Sequence, residues 1–231
     1  MSRKENVEAV GRILDYAAKK SGRTADRIRL IAVSKTFEVP DIQEIYDAGI
    51  RDFAENRVQE LTRKAQMFAH PCEWHFIGRL QTNKVKDVLG RVSLIHSLDR
   101  MELAAQINKR CSLTGQTCEA LVQVNVSAEQ TKTGIDPDDL DRFLTGMQPF
   151  KHIHIRGLMT IAPYTEDPED NRHIFARLRD LRDAMQVHHL DLKELSMGMS
   201  GDFRVAIEEG ATMIRLGSVL FGQRTYHEKR L

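Results

Sequence analysis

The sequence predicts an α/β fold, a (β/α)8 TIM barrel preceded by an extra N-terminal helix. Three observations carry this. Eight short apolar runs rich in β-branched residues recur along the 231 residues, amphipathic helical patterns lie between them, and no Pro/Gly/Ser-rich linker divides the chain. Parallel strands need crossover connections, and eight of them close into a packed barrel. An open doubly wound sheet is the rival, but neither G-x-G-x-x-G nor G-x-x-x-x-G-K-[ST] follows the first run. Residues 1–231 therefore read as a single domain, with a helix in 1–22 and the barrel in 28–224.

In chain order, Val7, Val10, Leu14 and Ala17 give the opening helix one apolar face. The expected strands run Ile28–Val33, Asp52–Ala54, Trp74–Ile77, Val92–His96, Ala120–Val126, Ile153–Met159, Glu194–Met197 and Thr212–Leu216. Between the first two, Ile42, Ile45 and Tyr46 form a stripe ending at Gly49, a residue suited to the left-handed position past a helix end. Leu140, Phe143, Leu144 and Met147 form another, with Asp136 as cap and Pro137 at the first helical position. Asp167 and Pro168 repeat the device before Ile174, Leu178, Leu181 and Met185. Phe203, Ala206 and Ile207 mark a last helix running from Asp202 to Gly210.

Composition narrows the function. Hydrophobic residues make up 41% of the chain, enough for a sizeable core, and 34 Lys plus Arg stand against 33 Asp plus Glu. A net charge of +1 gives no electrostatic footprint for nucleic acid or an anionic membrane, so an anionic partner must be small and locally bound. Cys72, Cys111 and Cys118 have no metal-ligand or disulfide-framework spacing, which fits a reducing cytosol. The N-terminus has no apolar signal core, and no stretch approaches the ~18 apolar residues of a membrane span. His152 and His154 share a strand face but lack a third ligand nearby, so no metal site is expected.

Functional residues of such barrels gather at the C-terminal ends of the strands. The first strand ends in Ala32-Val33-Ser34-Lys35, placing a lysine at the barrel mouth. It reads either as a rim lysine snorkelling into solvent or as an amine that attacks carbonyls. The seventh strand ends in Ser196-Met197-Gly198-Met199-Ser200-Gly201-Asp202, and the eighth in Arg215-Leu216-Gly217-Ser218. Adjacent Gly/Ser turns with free backbone N–H groups at the last two strands are the expected phosphate cup, although each by itself also reads as an ordinary βα loop with a Gly for its geometry. Alternation puts Met213, Arg215 and Gly217 on one face; if that face points inward, Arg215 needs an acidic side chain, a bound anion or a ring nitrogen as partner. Asn56, after the second strand, and His75, within the third, reach a ligand or satisfy a core hydrogen bond with equal ease. Lys84, Lys132 and Arg156 read as solvated charges.

The segments Ala32-Val33-Ser34-Lys35-Thr36, Ala54-Glu55-Asn56-Arg57-Val58-Gln59-Glu60, Trp74-His75-Phe76-Ile77-Gly78-Arg79-Leu80-Gln81-Thr82-Asn83-Lys84, Gly157-Leu158-Met159-Thr160, Ser196-Met197-Gly198-Met199-Ser200 and Arg215-Leu216-Gly217-Ser218 resemble the pyridoxal phosphate homeostasis protein family, also known as proline synthetase co-transcribed homologues. Ala54 stands where the family has Gly, and Ser218 where it has Thr. The resemblance implies a barrel similar to the alanine racemase N-terminal domain. It also implies pyridoxal 5'-phosphate (PLP) held as an aldimine on Lys35. Ser200, Gly217 and Ser218 would hold the phosphate, Arg215 would face the pyridine nitrogen, and Asn56 and His75 would line the pocket. A cation beside that nitrogen opposes its protonation and weakens the ring as an electron sink. Racemisation also needs a second acid/base, which alanine racemase takes from a further domain and subunit, whereas this chain runs only a few residues past the eighth strand. The expectation is a cytoplasmic, monomeric PLP carrier without catalytic residues that buffers PLP or delivers it to apoenzymes. The alternative is a PLP-dependent racemase-like enzyme, and a Schiff-base aldolase is a more distant one.

Overall fold

In a computed structural model, which describes residues 2–127, 133–189 and 191–222, eight parallel strands close into a barrel in the order of the sequence. The strands are β1 (Arg29–Val33), β2 (Asp52–Glu55), β3 (Glu73–Phe76), β4 (Leu94–Leu98), β5 (Cys118–Gln123), β6 (Ile153–Met159), β7 (Glu194–Ser196) and β8 (Met213–Leu216). β8 closes on β1, with Ile31 opposite Arg215 and Ala32 opposite Leu216. All eight expected runs are strands; the sixth coincides with its run, and the others differ from theirs at one or both ends by up to three residues. The fifth stops early: Asn125 N donates to Ile135 O, Ile135 N donates to Gln123 O, and Val124 is left in an isolated bridge to Ile135.

The helices are α1 (Arg3–Lys20), α2 (Val39–Asp47), α3 (Val58–Met67), α4 (Val85–Val88), α5 (Met101–Thr114), α6 (Leu140–Gly146), α7 (Arg172–Gln186), α8 (Phe203–Glu208) and α9 (Ser218–Phe221). The opening helix buries Val10, Leu14 and Ala17 as its stripe requires. It lies against α2, α8 and α9, and Asn6 Nδ2 donates to Leu220 O at 3.0 Å, so it braces the β8–β1 seam. Gly49 and Gly210 end α2 and α8 at φ +105° and +102°, a region open to glycine at little cost. Pro137 and Pro168 differ from expectation, since each opens a short 3-10 turn ahead of the α-helix. The aspartates before them cap these turns, Asp136 accepting from Asp138 N and Asp167 from Glu169 N at 2.9 Å each. Lys132 and residues 223–224 lie outside the described residues.

Apolar side chains divide into two cores. Most lie between strands and helices, while Ile31, Val33, Ala54, Leu94, Leu121, Met159 and Met213 fill the barrel itself. This inner set confirms the alternation read for β8: Met213 points inward, and so does Arg215 two residues on. Among the described residues no helix is long and apolar enough to cross a membrane.

Candidate functional site

Lys35 follows β1 in a tight turn at the barrel mouth. Phe37 N closes the turn on Ser34 O at 3.0 Å, and Thr36 takes φ +72°. A β-branched residue in the left-handed region is strained, and such strain persists only where the surroundings enforce it. Here the enforcement comes from beneath. Ser34 Oγ donates to Glu55 Oε1 at 2.7 Å, and Lys64 Nζ donates to Ser34 O at 2.9 Å and to Glu55 Oε1 at 2.6 Å. Burial pushes the Glu55 carboxyl upward, against the pull of Lys64 and Ser34. Glu55 Oε2 is buried without a hydrogen-bond partner.

A cavity of about 190 Å³ opens at this turn, lined by Lys35, Thr36, Asn56, Arg57 and Glu60. Asn56 and Lys35 thus line one cavity. Gly78, two residues past β3, packs against the Asn56 backbone, where a built Cβ would come within 2.0 Å of Asn56 O. Asn56 and Arg57 also line a neighbouring cleft of about 630 Å³ with Arg79, Lys84 and Arg100. Lys84, read from sequence as a solvated charge, is half-buried there. Arg156 pairs with Glu119 across β5 and β6.

On the other side of β1, the turns after β7 and β8 come together. Gly217 N and Val219 N donate to Ser200 Oγ at 3.2 and 3.5 Å. A Cβ built on Gly217 would lie 3.6 Å from Val33 O, so this turn abuts the strand end that carries Lys35. Asp202 precedes α8 at the N-cap position, but its side chain does not cap that helix. Instead its side chain accepts from Met199 N at 2.7 Å and Asn171 Nδ2 at 3.0 Å, locking the β7–α8 turn to the segment before α7.

Arg215 is 4% exposed and donates to Ser196 Oγ at 2.6 Å and Thr160 O at 2.9 Å. Among the described residues no carboxylate lies within 4.0 Å of it, and burial lowers its guanidinium to about 10. An ion pair therefore does not account for it, while two neutral acceptors leave N–H groups of a five-donor side chain for a ligand. The donor set fits pyridoxal phosphate: an amine beside a small cavity, a hydroxyl with turn N–H groups for a phosphate, and a buried cation for a ring acceptor.

His75 takes the core hydrogen bond, one of its two readings from sequence, and not the pocket position that the resemblance implies. It is fully buried in the barrel, with Nε2 at 3.0 Å from Asp52 Oδ1 and Nδ1 at 3.0 Å from His96 Nε2, and does not line the Lys35 cavity. Inward alternation along β3 placed it in the interior layer below the mouth. Sequence reasoning passed over Glu55, Lys64, His96 and Ser196. Lys64 left a signal: it continues the spacing of Val58 and Leu61, the buried face of α3.

The chain matches the family model described as "Alanine racemase, N-terminal domain" over residues 14–225. It is 46% identical over 224 residues to the pyridoxal phosphate homeostasis protein of Aquifex aeolicus, covering 95% of this chain and 98% of that one. The Vibrio alginolyticus protein of the same name is 37% identical, covering 96% and 97%. Among solved structures, PipY of Synechococcus elongatus with PLP bound superposes with a TM-score of 0.79 at 35% identity, over 91% of this chain and all of that one. Alanine racemase of Corynebacterium glutamicum shares the fold, with a TM-score of 0.72 at 12% identity over 94% of this chain and 62% of that one.

Proposed function

The chain belongs to the pyridoxal phosphate homeostasis proteins, built on the alanine racemase N-terminal domain, and from that membership we propose that it binds PLP through the Lys35 amine and serves PLP homeostasis. The observation that carries the reading is the placement of Lys35 in the wall of a small cavity, with the Gly217 turn packed on the adjoining end of β1. In this reading Ser200, Gly217 and Ser218 hold the phosphate, and Asn56 lines the pocket. Arg215 faces the ring nitrogen and, as a cation, opposes its protonation. When bound, the cofactor supplies a reactive aldehyde and a conjugated ring. The protein's share is to hold that aldehyde at Lys35 and keep the ring a poor electron sink, which suits a carrier that buffers PLP or passes it to apoenzymes.

The test is the absorption spectrum of the PLP-loaded full chain between 300 and 500 nm, beside Lys35→Ala treated alike. A band near ~420 nm in the parent and its loss in the variant are the expected result. Absence of the band in both overturns the cofactor assignment, and robust amino-acid racemase turnover by the parent overturns the carrier role.

A further inference from the structure

Five side chains from five strands form one hydrogen-bonded file through the barrel. Asp52 Oδ1 meets His75 Nε2 at 3.0 Å, His75 Nδ1 meets His96 Nε2 at 3.0 Å, His96 Nδ1 meets Ser196 Oγ at 2.9 Å, and Ser196 Oγ accepts from Arg215 Nη1 at 2.6 Å. His75, His96 and Ser196 have no solvent exposure. At the far end the Asp52 side chain is 20% exposed and lies 3.6 Å from Arg29 Nε.

The two ends of the file fix the direction of every bond in it. A carboxylate only accepts, so His75 Nε2 carries the proton toward Asp52. A neutral imidazole has one N–H, which leaves His75 Nδ1 to accept from His96 Nε2–H and His96 Nδ1 to accept from the Ser196 hydroxyl. Ser196 has then used its only proton and turns a lone pair to Arg215, a side chain that only donates. Donors and acceptors match throughout. The opposite tautomer at either histidine would set two N–H groups, or two lone pairs, against each other inside a dry barrel.

We propose that this file is a positioning relay for Arg215: His75, His96 and Ser196, none of which lines the Lys35 cavity, hold the guanidinium from behind so that its remaining N–H groups are presented to the ligand. The proposal rests on the PLP reading above, and it makes a prediction about the protein without ligand as well. Burial first, and then the charges of Arg215 and Arg29, holds His96 well below its ordinary value, in keeping with a neutral ring.

Two experiments on the full chain separate the relay from the cofactor reading. The first is the ¹⁵N spectrum of the histidine-labelled protein without PLP, with His75 and His96 assigned through His75→Gln and His96→Gln. Both rings in the Nε2–H form at pH 8 support the relay; an Nδ1–H tautomer at either position overturns it, whatever PLP does. The second is PLP titration of the parent, Ser196→Ala, Ser196→Thr and His96→Leu, each checked for cooperative unfolding. Loss of the Ser196 hydroxyl in Ser196→Ala, or of the ring that fixes it in His96→Leu, weakens PLP binding about tenfold, and Ser196→Thr, which keeps the hydroxyl, restores it. Parent-like affinity in folded Ser196→Ala and His96→Leu overturns the positioning role, whereas failure of the parent to bind PLP overturns the cofactor reading and, with it, the relay's purpose.

Discussion

Lys64 and Glu55 form a 2.6 Å salt bridge in which neither side chain has any solvent exposure, and the same ammonium donates to the carbonyl of Ser34, the residue before Lys35. The pair is thus both a buried charge pair and the floor of the Lys35 turn. Removing one member strands the other charge in a low-dielectric site, which costs more than the pair contributes. Lys64→Met should lower unfolding free energy by ~3–5 kcal/mol, and adding Glu55→Leu should recover part of that loss. A urea double-mutant cycle reads the coupling; additive losses would show that the two charges are solvated separately.

Two glycines give opposite predictions. Gly78→Ala drives a methyl into Asn56 O, a backbone atom with no rotamer to escape through. The expected cost is ~2–3 kcal/mol, with displacement of Asn56 from the Lys35 cavity. Gly11, inside α1, has nothing within 4 Å of a built Cβ, so Gly11→Ala should stabilise by ~0.5–1 kcal/mol through helix propensity. Thermal melts of the two variants beside the parent read both signs at once.

The barrel was legible because its signal is local and repeated: each strand is an apolar run, and each helix a periodic stripe with its own punctuation. Lys35, Asn56, Ser200 and Gly217 were legible for the same reason, since they sit at strand ends that the pattern itself locates. The groups beneath them were not. Asp52, His75, His96 and Ser196 belong to four different strands, and His96 and Ser196 are 100 residues apart. Their association exists only once the barrel closes and alternation turns all four inward. His75 shows the limit well: it was found as a polar residue in a strand, but only closure decides between mouth and interior.

Thr36 offers a test of where strain is stored. At φ +72° a threonine costs ~1–3 kcal/mol relative to relaxed backbone, while glycine tolerates the angle and costs ~0.5–1 kcal/mol in unfolded-chain entropy. Thr36→Gly should therefore raise unfolding free energy by ~0.5–1 kcal/mol by guanidinium unfolding. A loss of stability instead would show that the threonine side chain itself holds the turn.

The pH dependence of stability should carry the imprint of His96. Burial, then Arg215 and Arg29, keep its folded value well below 6.5. Above that pH the ring is neutral in both folded and unfolded chains and contributes no slope. As pH falls below about 6.5 the unfolded chain takes up a proton that the folded barrel refuses, so stability declines by up to ~1.4 kcal/mol per pH unit until the folded value is reached. Glu55 acts with the opposite sign, since its raised value makes the folded state bind a proton more readily as pH falls toward 4.5. The two are separated by comparing the parent with His96→Phe in urea unfolding from pH 5 to 8. The parent's decline below 6.5 should be missing from the variant, leaving the shallower Glu55 contribution. Parallel curves would mean that His96 accepts its proton inside the barrel, which the hydrogen-bond direction from Asp52 to Ser196 forbids.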